Sequence, residues 1–447
     1  MKKPSDLFSR RAFLGTAAAA GVAASAVRLA AQSAPASAPS GRKPGQKSVA
    51  QLRCPPLSTV RIGFIGLGGR GTGLLGNLLE LEGVEIKAVC DLVPERVQAA
   101  QRRVAARGKA EPAGYSQGER DFENLCRRED VDVVYIATPW DCHVSMAVGA
   151  MKHGKHAAVE VPAALTLAEC WDLVDTAEQT QRHCLMLENC CYGETEMLVL
   201  NLARQGVLGE LTHAEAGYLH EFAGIPPQVL KPDDWRWRFM GKLNGNLYPT
   251  HGLGPVAQYL GIHHGDKFDS LVSMSSLERG LSRRCAELPA DDPRHQATFA
   301  CGDINTTLIK TALGRTIMVQ YSTVQPRPYS RINTISGTKG TFCDYPPRLH
   351  LAGQAGEWET DLQKYHDQYG HPLWKTLTER AKGGGHGGMD FVMNWRFIQC
   401  LREGLALDMS VYDAAAWSCL VPLSIESVAR GSQPVAIPDF TRGEWKA

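Results

Sequence analysis

Val60-Arg61-Ile62-Gly63-Phe64-Ile65-Gly66-Leu67-Gly68-Gly69-Arg70-Gly71 is the stretch that decides the fold. The apolar run Val60 to Ile65 suits a buried parallel strand. It opens directly onto a GxGxxG formed by Gly66, Gly68 and Gly71, after which Leu74, Leu75, Leu78 and Leu79 recur at helical spacing. Such glycines serve a tight turn, close backbone approach to a pyrophosphate, and tight packing of helix on strand. The helix start supplies free N–H groups and the positive end of a dipole to the phosphates. A second strand, Val84 to Cys90, ends in Asp91, twenty residues after Gly71. A carboxylate there can accept from the ribose 2′- and 3′-hydroxyls and would repel a 2′-phosphate. Together these features predict a dinucleotide site that favours NAD over NADP. Arg70, next to Gly69, is either a pyrophosphate partner or a solvated helix residue.

Outward from this unit the alternation continues. Val131 to Ala137 reads as a strand ended by Thr138-Pro139, and Trp140 to His143 open a helix running to about His153. His156 to Val161 is strand, Thr166 to Thr180 helix, and Cys184 to Leu187 strand again. This pattern predicts an α/β chain whose N-terminal part is a Rossmann doubly wound parallel sheet, with ligands beyond the carboxyl ends of the strands. Trp140, His143, Glu160, Val161 and Asn189 fall at those ends. Trp140 is a core residue or a nicotinamide contact, and His143 a cofactor contact or a helix cap. From about Cys190 the chain changes character, with β-type stretches at Leu211–Glu221, Phe268–Ser275, Thr306–Lys310, Thr316–Tyr321 and Arg331–Ser336. Helical patterns appear at Gly252–Leu260, Val392–Arg402 and Tyr412–Arg430. They predict a C-terminal α+β domain on a mostly antiparallel open sheet. Gly383–Gly388, containing His386, reads as a mobile loop, either lid or connector. The organisation expected is 1–38 export signal, 39–58 flexible linker, 59–189 nucleotide domain and 190–447 substrate domain.

The signal reading rests on Ser9-Arg10-Arg11-Ala12-Phe13-Leu14-Gly15, two arginines before a mild apolar stretch that Arg28 closes. That stretch is shorter than the ~20 apolar residues a bilayer span needs, so a twin-arginine signal is expected rather than a stable membrane span. This route exports folded proteins, which implies a periplasmic location and contact with the twin-arginine translocation machinery. A cofactor that cannot be replenished there must stay bound, at nanomolar affinity or better, on the order of −12 kcal/mol. Lys+Arg 48 against Asp+Glu 47 leaves +1 with no basic stripe, which argues against nucleic acid. The 13 cysteines form no CxxC pair, so neither a metal site nor a disulfide scaffold is expected; Cys190-Cys191 reads as packed free thiols.

Longer strings carry a resemblance. They are Glu160-Val161-Pro162-Ala163-Ala164, Met186-Leu187-Glu188-Asn189-Cys190-Cys191-Tyr192, the run Asn244 to Pro255, Arg327-Pro328-Tyr329-Ser330-Arg331, His386 to Phe391, Tyr412-Asp413-Ala414-Ala415 and Pro438-Asp439-Phe440. The chain resembles the glucose–fructose oxidoreductase / inositol dehydrogenase / MocA group and, more specifically, glycoside hydrolase family 109, whose founding activity is α-N-acetylgalactosaminidase. Dehydrogenases of the wider group commonly carry Glu-Lys-Pro where this chain has Glu160-Val161-Pro162, and valine moves no proton.

The resemblance implies that tightly bound NAD oxidises C3 of the sugar, which acidifies the C2 proton. A base removes that proton, the C1 substituent is eliminated, water adds, and the same cofactor returns its hydride. Most glycosidases instead flank the anomeric carbon with two carboxylates. It further implies cofactor contacts from Gly69, Arg70, Asp91, Trp140, His143, Glu160, Val161 and Asn189, and sugar contacts from Tyr218, Arg236, Tyr248, His251 and Tyr329. His251 is the candidate for shuttling the C3 hydroxyl proton, since imidazole titrates near neutrality; the other reading is a core histidine. Tyr248, Tyr329 or Tyr192 is the candidate C2 base, and a phenol of pKa about 10 would need nearby positive charge. Arg236 can supply that charge or stack on its aromatic neighbours, leaving the role to Arg238. A small-molecule or glycan substrate is implied, and homo-oligomers formed through exposed sheets occur in the group. The competing readings are a periplasmic NAD(P)-dependent sugar or polyol oxidoreductase and an inactive sugar-binding protein.

Overall fold

The computed structural model describes residues 41–221 and 235–446; the expected signal, residues 1–38, lies outside them. Six parallel strands, β1 (Val60–Ile65), β2 (Val84–Cys90), β3 (Ala113–Tyr115), β4 (Val133–Ile136), β5 (His156–Val159) and β6 (Cys184–Met186), form one sheet. Their order, β3-β2-β1-β4-β5-β6, is that of a Rossmann fold. β1, β4, β5 and β6 are almost wholly buried, because helices cover both faces of a parallel sheet.

A second sheet holds β7 (Leu211–Leu219), β8 (Phe268–Ser275), β9 (Asn305–Thr311), β10 (Thr316–Ser322), β11 (Thr334–Gly337), β12 (Gly340–Cys343), β13 (Arg348–Leu351) and β14 (Val435–Ala436). Its order is β13-β12-β11-β7-β10-β9-β8-β14. β10 runs parallel to β7 and every other pairing is antiparallel. In β9, Asn305, Thr307, Ile309 and Thr311 are buried while Leu308 and Lys310 face out, the alternation of a sheet covered on one side. At the centre lies the helix Val411–Ser418, buried at every position and closed by a capping box between Ser410 and Asp413. Among the described residues no helix is long and apolar enough to cross a membrane.

Three sequence expectations change. The strand expected from Arg331 begins only at Thr334, because Ile332 and Asn333 take φ of 65° and 48°, which breaks the extended backbone. The helix expected over Tyr412–Arg430 is two helices, Val411–Ser418 and Leu420–Ala429; Pro422 has no N–H to give to the Ser418 carbonyl. The described part of the expected flexible linker, 41–58, has no regular element but is fastened down. Arg42 pairs with Glu178 at 3.0 Å and Glu444 at 2.6 Å, and Leu57 N–H donates to the Leu401 carbonyl. The cause is Glu178, a fully buried carboxylate that draws both Arg42 and Arg442, since a buried charge must be paired. In the Gly383–Gly388 stretch the Gly384 carbonyl accepts from Asn77 Nδ2 at 2.9 Å.

Candidate functional site

The cofactor cradle lies at the carboxyl end of β1. Gly66 has φ +90°, and a Cβ there would press on the Ala137 carbonyl, so only glycine makes this turn. A Cβ on Gly71 would strike the Gly66 carbonyl oxygen, whereas one on Gly68 or Gly69 would meet nothing within 4 Å. The first three glycine roles are thus distinct: Gly66 turns, Gly71 packs the helix onto the strand, and Gly68-Gly69 leave open space. The helix Gly69–Leu79 has no side-chain cap and no acid in its first turn, so no side chain competes for its amides. These residues fit a pyrophosphate. Asp91 stands at the end of β2 as expected, with its carboxylate accepting from the Leu67 and Val93 amides at 2.7 and 2.9 Å. It therefore braces the glycine turn.

The Arg70 guanidinium is engaged by two carboxylates. Its Nε pairs with Glu160 Oε1 and its Nη1 with Asp390 Oδ2, both at 2.7 Å. Asp390 also accepts from Asn189 Nδ2 at 2.7 Å and His386 Nδ1 at 2.8 Å. Burial opposes ionisation of Asp390, but the His386 hydrogen bond and the Arg70 charge hold its carboxyl at about 2. Glu160 and Asn189, on the ends of two strands, are thereby fixed against the helix Met389–Glu403. The His143 side chain is turned into the fold. It is fully buried, with ring nitrogens 2.8 Å and 2.9 Å from the Pro162 and Thr138 carbonyl oxygens. Burial lowers its pKa, so the neutral ring between the turns after β4 and β5 donates to one of the two carbonyls. Val161 is buried beside it.

Across the cradle the helix Thr250–Tyr259 packs directly onto β7. A Cβ on Gly252 would collide with the backbone of Gly217, and this contact sets His251 against Tyr218, with ring centroids 5.5 Å apart. Tyr248 lies 4.9 Å from His251, 4.6 Å from Tyr218 and 5.8 Å from Trp140. Tyr218 and Tyr329 are 6.1 Å apart. Trp140 is buried and also packs edge-on to Trp235 at 4.5 Å, so it joins the aromatic cluster to the turn after β4. Arg236 stacks over Trp235 at 4.1 Å and its charge reaches Tyr218 and Tyr248.

His251 Nδ1–H donates to Glu188 Oε1 at 2.7 Å. Burial alone would raise the Glu188 carboxyl, yet the charge and hydrogen bond of His251 hold it below its ordinary value. A carboxylate can only accept, so Nδ1 carries the proton and Nε2 is left as the basic atom. Burial pushes Tyr218 and Tyr248 well above the ordinary phenol value and Tyr329 up to about 12.

Tyr192 does not join this cluster. It is buried, and its hydroxyl donates to Asp408 Oδ2 at 3.3 Å; burial and then that carboxylate raise its pKa, so it is removed from the candidate bases. Glu188, Asp390 and His386 were not singled out as site residues in the sequence. Glu188 did leave a trace, as an acid in the apolar context Cys184-Leu185-Met186-Leu187, where an ionised side chain needs a partner. Among the described residues two groups bring metal-type ligand atoms together, Cys54/His156/His183 and Glu188/Cys190/His251. In the first, His156 Nδ1 accepts from the His183 amide, which leaves the ring proton on Nε2; in the second, His251 Nδ1 is held by Glu188.

The comparisons with known proteins cover both halves of this site. The oxidoreductase family with an NAD-binding Rossmann fold matches residues 60–188, and the C-terminal domain of glycosyl hydrolase 109 matches residues 192–447. A glycosyl hydrolase family 109 protein of Solibacter usitatus is 49% identical over 445 residues, 99% of this chain and 99% of its own length. Another from Shewanella amazonensis is 49% identical over 98% of this chain and 97% of its own. Among solved structures, levoglucosan dehydrogenase in complex with NADH superposes with a TM-score of 0.65 at 21% identity, over 85% of this chain and 100% of that one. Scyllo-inositol dehydrogenase from Lactobacillus casei with bound NAD(H) and scyllo-inositol gives 0.61 at 16%, over 85% and 99%. Residues 60–188 form an NAD-binding Rossmann domain, and the chain as a whole belongs to glycosyl hydrolase family 109.

Proposed function

We propose that the protein is an exported glycosidase that removes terminal α-N-acetylgalactosamine or a related sugar by oxidation, elimination, hydration and reduction around captive NAD. The observation that carries this reading is the pairing of a proton-inert Val161 with a buried Glu188–His251 dyad. Dehydrogenases of the wider group commonly have a lysine at the Val161 position; here the acid–base capacity lies across the cleft, on His251 and the tyrosines. Bound NAD supplies hydride acceptance and return at the sugar C3. His251 Nε2 takes the C3 hydroxyl proton, and Glu188 stabilises the imidazolium that forms. A tyrosine takes the C2 proton, and Trp140, Tyr218 and Tyr248 offer flat faces to the sugar. The Glu160–Arg70–Asp390 network holds the strand ends that carry the cofactor contacts Glu160 and Asn189.

Ser9-Arg10-Arg11 supports export of the folded protein with its cofactor aboard, to the periplasm, and an exported enzyme gains most from a cycle without net redox change. The experiment is turnover of chromogenic α-N-acetylgalactosaminide by purified protein with no nucleotide added, in D₂O. Many turnovers, with deuterium at C2 of the released sugar, are expected. Activity that depends stoichiometrically on added NAD, with a lactone or ketone as product, would establish a sugar oxidoreductase instead.

A further inference from the structure

Tyr329 and Arg331 stand two residues apart on the coil leading into β11. Positive φ at Ile332 and Asn333 turns the chain immediately after them. Arg331 Nη1 donates to Tyr329 Oη at 3.2 Å. Its guanidinium carbon lies 5.7 Å from the Tyr329 ring centre and 5.6 Å from that of Tyr345, while Nη2 pairs with buried Glu196. A cation is thus fixed in the protein interior with one arm on a phenol oxygen. The other candidate bases differ. Tyr248 and Tyr218 are each 8% exposed, and Tyr192 faces a carboxylate, whereas Tyr329 is 38% exposed. Its proton therefore has a way out to water, and a substrate has a way in.

We propose that Tyr329 is the base that removes the C2 proton, and that Arg331, held by Glu196, is the positioning residue that makes its phenolate attainable. The assignment rests on the oxidative reading of the site given above. In the step, the phenol proton has first passed to solvent. The C2–H bond then breaks, its proton moves to Tyr329 Oη, and the electron pair stays on the sugar as the enolate of the C3 ketone. Hydrogen bonding from a fixed cation favours the charged form of an acid. Burial works against it and holds the phenol of the free protein at about 12. Without Arg331 the phenolate would be scarcer still.

The test uses holoenzyme and two variants. Tyr329→Phe is expected to abolish C2 deuteration and turnover while sugar binding persists. Arg331→Met alone would strand buried Glu196, so the double variant Arg331→Met/Glu196→Gln removes both charges together. It is expected to lower kcat roughly ten- to hundred-fold, the loss of a charge-assisted hydrogen bond, with KM changed less than about threefold. In an ultraviolet titration of tyrosinate, independent of turnover, the phenol missing from Tyr329→Phe should titrate at higher pH in the double variant. A labelled wild-type product with an equally labelled Tyr329→Phe product overturns this assignment alone. So does a double variant with unchanged kcat and unchanged titration. A wild-type product free of deuterium at C2 overturns the oxidative reading and the assignment with it.

Discussion

Glu188 Oε1 and His251 Nδ1 are 2.7 Å apart, the carboxylate fully buried and the imidazole 14% exposed. The pair presents one basic nitrogen to the cleft and hides the charge that supports it. Glu188→Gln keeps the shape and removes that charge, so kcat should fall on the order of ten- to hundred-fold with little change in sugar affinity. Because the folded Glu188 carboxyl lies below its ordinary value, its contribution to stability is complete above the unfolded pKa of about 4.5 and disappears as pH falls through the folded value. Thermal melts from pH 7 down to pH 3 should therefore show a flatter acid decline in Glu188→Gln. An identical decline would contradict the pairing.

Asp390 joins Arg70, Asn189 and His386. Its carboxyl sits at about 2 against an ordinary 3.8, which corresponds to about 2 kcal/mol at neutral pH, lost as pH drops from about 4 to 2. Asp390→Asn leaves Arg70 with Glu160 alone, and should cost about 3 kcal/mol or more for breaking a buried pair. Nucleotide content after gel filtration should fall with it. Full cofactor retention at unchanged Tm would remove Asp390 from the site.

The glycine turn separates two effects. Gly71→Ala forces a Cβ against the Gly66 carbonyl, so both Tm and nucleotide content should fall. Gly69→Ala meets no protein atom within 4 Å and gains helix propensity of up to about 1 kcal/mol. It should lose NAD, and with nucleotide stripped from both proteins its Tm should equal or exceed that of the parent. If Gly69→Ala purifies with full nucleotide, the pyrophosphate does not lie there.

Glu178→Ala would leave Arg42 and Arg442 together without their buried carboxylate, and a loss of about 3–5 kcal/mol is expected in denaturant unfolding. Lys43→Ala removes a partner of Asp175 whose side chain is 66% exposed, and should cost less than about 1 kcal/mol. Equal effects would mean that 41–58 is not fastened by burial.

The parts of the molecule legible in the sequence are those whose signal is local. Val60–Gly71, the leucines behind it and Asp91 lie within one strand–helix–strand unit, and each follows from period or spacing. Tyr218, Tyr248, His251 and Tyr329 came from motif resemblance, and the structure gathers them into one cluster. What stayed hidden depends on pairings between distant segments. Glu188 is 63 residues from His251 and Asp390 is 320 from Arg70; no window contains both members. Tyr192 misled because it ends one of the strings that carry the resemblance, although the one-turn helix Asn189–Tyr192 carries its hydroxyl to Asp408. The segment 41–58 misled because composition does not reveal a buried acid elsewhere that attracts it.

The Arg70–Asp390 pair also bears on modular engineering. Arg70 and Glu160 belong to the Rossmann half, Asp390 and His386 to the other. A chimera that grafts this nucleotide module onto a foreign sugar-recognition module would inherit an arginine with half its counter-charge gone. Recombination at the apparent seam near residue 190 should therefore fail unless the donor supplies a carboxylate at the equivalent of Asp390, so the two modules are exchangeable only as a matched set.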